Sequence, residues 1–189
     1  MSILMDKLPE EIVVCGEICP IRTDFKTWLK FSQIISQNEL TAENIVHIFR
    51  LVFYDIPPNF FEALKEIMKF YAKNEDVKQP SGNNTDKKRY FDFEADGDLI
   101  YSAFLQQYSI DLCDAELLHW WKFKALMNGL SEDTHFVKVV QYRSMDLSKI
   151  KDKEQKKFYR KMKALYKLPD NRSESQKERD FNSAMEGLF

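Results

Sequence analysis

Cys15 and Cys19 stand four positions apart, a spacing that occurs in zinc sites where thiolates close a tetrahedral shell. Such a shell needs two further Cys or His ligands, and no second close pair follows. Strand alternation instead predicts both thiols on one face, where buried unreactive cysteines are common. His119 precedes two tryptophans and His135 lies two residues after Asp133, so an acid-base pair can be drawn at either. A satisfied structural histidine is the simpler reading of both. Asp92, Glu94, Asp96 and Asp98 form an acidic run suggestive of a cation site, yet an acidic first helical turn facing the macrodipole explains it without a ligand. No Gly-rich phosphate loop, HExxH or GxSxG motif is present. The expectation is a non-enzyme with no metal or cofactor.

One locally basic stretch remains, KIKDKEQKKFYRKMKALYK from Lys149 to Lys167. Its lysines suit phosphates and its aromatic residues suit base stacking. The chain as a whole carries a formal charge of −2, which opposes a general nucleic-acid field, and charge runs are usually solvated faces. A DNA-contacting regulator is therefore the least favoured function.

The elements that must position these residues are mostly helices. Five glycines in 189 residues allow few tight turns. Leu8 to Ile21 reads as a small β-hairpin, with strands Ile12–Cys15 and Ile18–Ile21 around a Gly16-Glu17 turn. Thr23 or Asp24 caps a helix from Phe25, with Phe25, Trp28, Leu29, Ser32 and Ile35 on one face. Thr41 caps a second, carrying Ile45, Ile48, Phe49 and Val52 up to the Pro57-Pro58 stop. A third, with Pro58 in its first turn, places Phe61, Leu64, Ile67, Met68 and Tyr71 at helical spacing. Residues 74–88 are too polar to offset ordering entropy and read as a mobile loop.

The centre is the stretch from Asp92 to Leu130. Ile100, Tyr101, Phe104, Leu105 and Tyr108 mark one helix; after a corner at Ser109-Ile110-Asp111, a second is expected to start at Asp114. The second helix has two apolar arcs, Leu117, Leu118, Trp121 and Ala125 on one and Trp120, Phe123 and Met127 on the other. Two arcs require cover on two sides, by the fold itself or by a partner. The pair is an αα-hairpin at the heart of a mainly α fold. Ser131 and Asp133 restart a helix holding Phe136, Val137 and Val140, and a charged helix from Asp152 to Tyr166 carries Phe158, Met162, Leu165 and Tyr166. The domain spans 1–168. Residues 169–189 read as a flexible tail with an apolar tip at Leu188 and Phe189. No signal peptide or membrane span is apparent, and three cysteines suit a reducing cytoplasm.

The segments LPEEIVVCGEICPIRTDFKTWLKF, YFDFEADGDLIYSAFLQQYSIDLCDAELLHWWKFKALMNGL and KVVQYRSMD resemble a family of small proteins from siphophages and prophages of Gram-positive bacteria. Its members are encoded in the tail-morphogenesis region just before the tape-measure protein. The resemblance covers most of residues 8–168 and is most specific in the DLCDAELLHWWKFKALMNGL block. It implies a tail-assembly chaperone in the bacterial host cytoplasm that keeps the tape measure soluble and helps recruit tail-tube subunits; a structural tail component retained in the virion is the alternative. It brings no catalytic motif. A long helical client suits helix-in-groove binding with aromatic anchors, so Trp120, Phe123 and Met127, together with Leu188 and Phe189, are the candidate partner-binding residues. Self-association through the same apolar groups is expected.

Overall fold

The computed structural model describes residues 3–36, 41–73 and 89–169. Its elements in chain order are β1 (Glu11–Val14), β2 (Glu17–Pro20), α1 (Phe25–Ile35), α2 (Ala42–Val52), α3 (Phe60–Ala72), α4 (Gly97–Tyr108), α5 (Trp120–Asn128), α6 (His135–Ser144) and α7 (Lys153–Leu165). The fold is mainly α with one two-stranded antiparallel ribbon. The expected loop at 74–88 and the tail with Leu188 and Phe189 lie outside the described residues.

The ribbon turns one residue earlier than its sequence suggested. Val14 pairs with Glu17, so Cys15 and Gly16 make the two-residue turn, with φ of 52° and 85°. Positive φ at both central positions is the type I′ requirement, matched to strand twist. This places Cys15 exposed at the tip while Cys19 is buried on a strand, so the two thiols do not share a face. Ile12, Val14 and Cys19 turn inward; Val13 and Ile18, a cross-strand pair, face outward.

The helix starts follow their caps. Asp24 accepts from the Thr27 amide at 2.9 Å and from its hydroxyl at 2.8 Å, and Thr41, Asn59, Thr134 and Asp152 each accept from the amide three residues on. Pro58 precedes the Asn59 cap, so it lies just outside α3. The face of α3 is also rotated from expectation: Ala63, Ile67 and Phe70 are its buried residues, whereas Phe61 and Met68 are exposed. Small Ala63 lets the helix approach, and Leu64, Ile67 and Tyr71 of the expected stripe keep contact with the core while Phe61 and Met68 turn out to solvent.

The central αα-hairpin is present with a longer connection. α5 begins at Trp120, six residues after the expected start. The reason is competition for backbone groups: the Leu118 carbonyl accepts from the Phe25 amide at 2.8 Å and the Trp120 amide donates to the Thr23 carbonyl at 2.7 Å. Residues 118–120 are thereby held extended against the start of α1, and no helix can run through them. Across the hairpin, Phe104 stacks on Phe123 at 5.2 Å, and the Tyr108 hydroxyl donates to the Leu126 carbonyl at 2.9 Å.

The core is one cluster built around aromatic rings from α1, α3, α4 and α5. All three tryptophans bury their rings, and every indole N–H donates to a backbone carbonyl. Trp28 reaches Arg22 at 2.8 Å, Trp120 reaches Tyr71 at 3.0 Å, and Trp121 reaches Phe70 at 2.8 Å. The last two cap the C-terminal turn of α3: the Phe70 carbonyl also accepts from the Lys73 amide at 2.9 Å, and the Tyr71 carbonyl lies beyond the last helical hydrogen bonds. Arg22 serves α2 in the same way, donating to the carbonyls of Arg50, Leu51 and Phe53. Helix α7 differs from the rest: it has no fully buried residue and packs on α6 through the rings around Tyr142.

Candidate functional site

The residues with chemical potential are each held by structural work. His119 is the N-cap of α5: its Nδ1 accepts from the Trp121 amide at 3.0 Å, while Nε2 lies 3.1 Å from the Pro9 carbonyl. A neutral ring protonated on Nε2 satisfies both contacts. Burial lowers its pKa, and Lys122 adds to this, while the Pro9 contact opposes it. His135 is exposed and its Nε2 lies 3.2 Å from the Tyr166 hydroxyl, which ties α6 to α7. The thiol of Cys19 is pushed upward chiefly by burial, the opposite of nucleophile activation.

The acidic run does not sit together on a helix start. Only Asp98 lies in the first turn of α4. Asp92 organises the preceding turn by accepting from the Glu94 and Ala95 amides. Asp96 is fully buried and forms a bidentate pair with Arg143 of α6, at 2.6 and 2.8 Å, while accepting from the Asp92 amide at 3.0 Å. Arg143 also donates to the carbonyls of Tyr90 and Tyr166. Four segments meet on this one guanidinium. Among the described residues no group of three or more Cys, His, Asp and Glu side chains could hold a metal ion.

The proposed anchor row of α5 is interior. Trp120 and Phe123 are 2% and 1% exposed, and Phe123 lies among Phe25, Phe104 and Trp120. Met127 is partly buried against the same core. Of the two ways to cover the second apolar arc, the fold uses its own α1, α3 and α4. A partner reaches Trp120 or Phe123 only if that packing opens.

An apolar surface does exist, on the connection from α2 into α3. Tyr54, Ile56, Phe60 and Phe61 fall within eight residues, and Ile56 and Phe61 are 85% and 77% exposed. The patch has a fixed backing: Phe60 packs on Phe49 at 5.0 Å, and the Arg22 guanidinium lies over the Tyr54 ring at 4.6 Å. Bulky aromatics held outward on braced backbone are what a hot spot for an apolar partner needs. The helical spacing of Phe61 pointed it to the core. What betrays it in the sequence is the excess of large side chains just after Pro57-Pro58, more than one helix face can bury.

A shallow cavity of about 340 Å³ opens beside Ser32, Tyr71, Tyr90 and Phe93. Burial raises the pKa of the Tyr71 hydroxyl, which donates to Ser32 at 3.0 Å. A further large charged surface is α7, where Lys153, Lys157, Arg160 and Lys161 are all exposed. Among the described residues no helix is long and apolar enough to cross a membrane.

The geometry thus defines a small, mainly helical body with an aromatic core, an exposed apolar corner between α2 and α3 and a cationic helix. It is a bacteriophage protein: the chain belongs to the family described as Bacteriophage Gp15 protein, whose model matches residues 4–168. No curated protein and no solved structure matches the chain.

Proposed function

We propose that this protein is a tail-assembly chaperone that binds the phage's tape-measure protein in the host cytoplasm, keeps it soluble and helps recruit tail-tube subunits. Membership of the phage family supports a role in the virus, and the resemblance to proteins encoded next to tape-measure genes supports this particular one. The observation that carries the binding reading is the outward-facing corner Tyr54, Ile56, Phe60 and Phe61. A long helical client presents apolar stripes that water cannot cover, and a braced set of exposed aromatic side chains can cover one of them. The relevant anchors are then these residues, in place of Trp120 and Phe123, whose rings are already used by the core.

Co-expression with the tape measure tests the proposal. The soluble fraction of the tape measure should rise with the wild-type chain and fall back with Ile56→Ser combined with Phe61→Ser, while the variant keeps its circular dichroism and melting temperature. A client that is neither bound nor kept soluble by the folded wild-type chain sinks the chaperone reading. Mass spectrometry of purified particles then decides for the virion-component alternative if the chain is found in them.

A further inference from the structure

Residues 149–167 carry nine lysines and arginines against two carboxylates, whereas residues 1–148 carry 23 carboxylates against 16 cations. Charge is therefore unevenly distributed along the chain, and its most basic stretch is α7 with its flanks. Among the described residues that helix is covered along one side, where Tyr159 and Tyr166 meet Tyr142, Met162 is half-buried and Lys163 donates to the Met145 carbonyl at 2.7 Å. Next to the covered side, Phe158 and Leu165, seven residues apart, leave an exposed apolar edge. Lys161, Lys157 and Lys153 follow around the helix at successive angles. Among the described residues none of these three lysines, nor Arg160, has an ion pair.

The complementary surface lies on the α4–α5 connection. Asp111, Asp114 and Glu116 stand within six residues, followed by Leu117, which is 95% exposed. The corner is braced: the Ala115 amide donates to the Asp111 carbonyl at 3.0 Å, and Lys26 Nζ donates to the Cys113 carbonyl at 2.6 Å. Asp114 and Glu116 also have no ion pair among the described residues. Since Lys153, Lys157 and Lys161 on one side and Asp114 and Glu116 on the other are without ion pairs among the described residues, a second copy offers each set a complementary partner. We infer that α7 of one copy docks on the Asp111–Leu117 corner of another, seating Leu117 on the Phe158–Leu165 edge with lysines on the flanking carboxylates. Tyr159 and Tyr166 already face Tyr142, which leaves them poorly placed to stack bases and favours an acidic protein surface over nucleic acid. Donor and acceptor surfaces differ, so the contact is head-to-tail and extends into rings or chains.

This inference does not rest on the chaperone reading, and its test needs no tape measure. Sedimentation velocity of the full chain at low and high salt should show concentration-dependent association that weakens at least about tenfold at high salt, where exposed charges are screened. Lys157→Glu with Lys161→Glu should be monomeric, as should Asp114→Lys with Glu116→Lys, both with unchanged circular dichroism. Mixing the two charge-reversed variants should restore association, because each then offers the other a complementary pair. A wild-type chain that stays monomeric at low salt, association indifferent to the α7 reversal, or a mixture that stays monomeric would overturn the inference. Retardation of DNA abolished by the α7 reversal, with no self-association, would also overturn it in favour of a nucleic-acid contact.

Discussion

Arg143 and Asp96 form a buried, bidentate ion pair that joins α6 to the start of α4, with guanidinium-to-carboxylate distances of 2.6 and 2.8 Å. The same guanidinium donates to the Tyr90 and Tyr166 carbonyls, so the approach to α4 and the end of α7 hang on it too. Removing one partner leaves the other charge buried and unpaired, which typically costs about 3–5 kcal/mol. Arg143→Met and Asp96→Leu should each lower the urea midpoint accordingly. The double variant should be less destabilised than the two single losses added together. Strict additivity would show that the pair is not coupled as the geometry states.

Phe123 and Phe61 separate core from surface. Phe123→Ala opens a cavity among three stacked aromatic rings and should cost about 3–5 kcal/mol of stability. Phe61→Ser removes an exposed ring and should shift stability by no more than about 0.5 kcal/mol. Denaturant melts of both variants check this, and equal losses would refute the assignment of Phe61 to the surface.

His119 makes stability depend on pH. Burial, the largest cause, lowers its folded-state pKa below the unfolded value of about 6.5. Between the two values the unfolded chain binds more protons, so stability rises with pH there and is lost as pH falls below about 6.5. Protonation also removes the Nδ1 acceptor of the α5 cap. Thermal melts from pH 7.5 down to pH 5 should show the decline. In His119→Asn, which keeps an acceptor without a titrating ring, the part due to this residue should vanish. A slope unchanged in that variant would assign the decline to other groups.

Trp121→Phe keeps most of the buried ring and deletes the indole donor to the Phe70 carbonyl. The Phe70 carbonyl keeps the Lys73 amide at 2.9 Å and loses its second donor, which should cost about 0.5–1.5 kcal/mol. Amide exchange should quicken in the last turn of α3 more than in α2, and uniform quickening would argue against a local capping role.

Cys15 occupies the first central position of a type I′ turn with φ of 52°, a conformation that asparagine tolerates better. Cys15→Asn creates the Asn-Gly pair favoured there and should raise stability by up to about 1 kcal/mol, read from the denaturant midpoint. A loss of stability would mean the Cys15 side chain contributes something the turn geometry does not explain.

Much of the fold was written in local residue order, because caps and helical periods act within a few residues. Asp24, Thr41 and Asp152 mark helix starts by side chains that reach an amide three residues away, and Gly129 ends α5 by bonding back to Ala125 and Leu126. The abundance of apolar residues at helical spacing likewise made a mainly α chain with a small ribbon the expected answer. Tertiary structure decided what depends on distant partners. The Leu118 carbonyl and the Trp120 amide are taken by Phe25 and Thr23, nearly a hundred residues away in sequence, and this delays α5. Phe123 is core because α1 and α4 supply the rings that cover it, and Trp120 because Tyr71 of α3 stacks on it, while Phe61 is surface because α3 turns Ala63, Ile67 and Phe70 inward. The partner of Asp96 lies 47 residues on, at Arg143. Spacing along the chain shows which residues share a helix face; only packing shows which face finds a neighbour, because burial depends on the whole set of surfaces that meet.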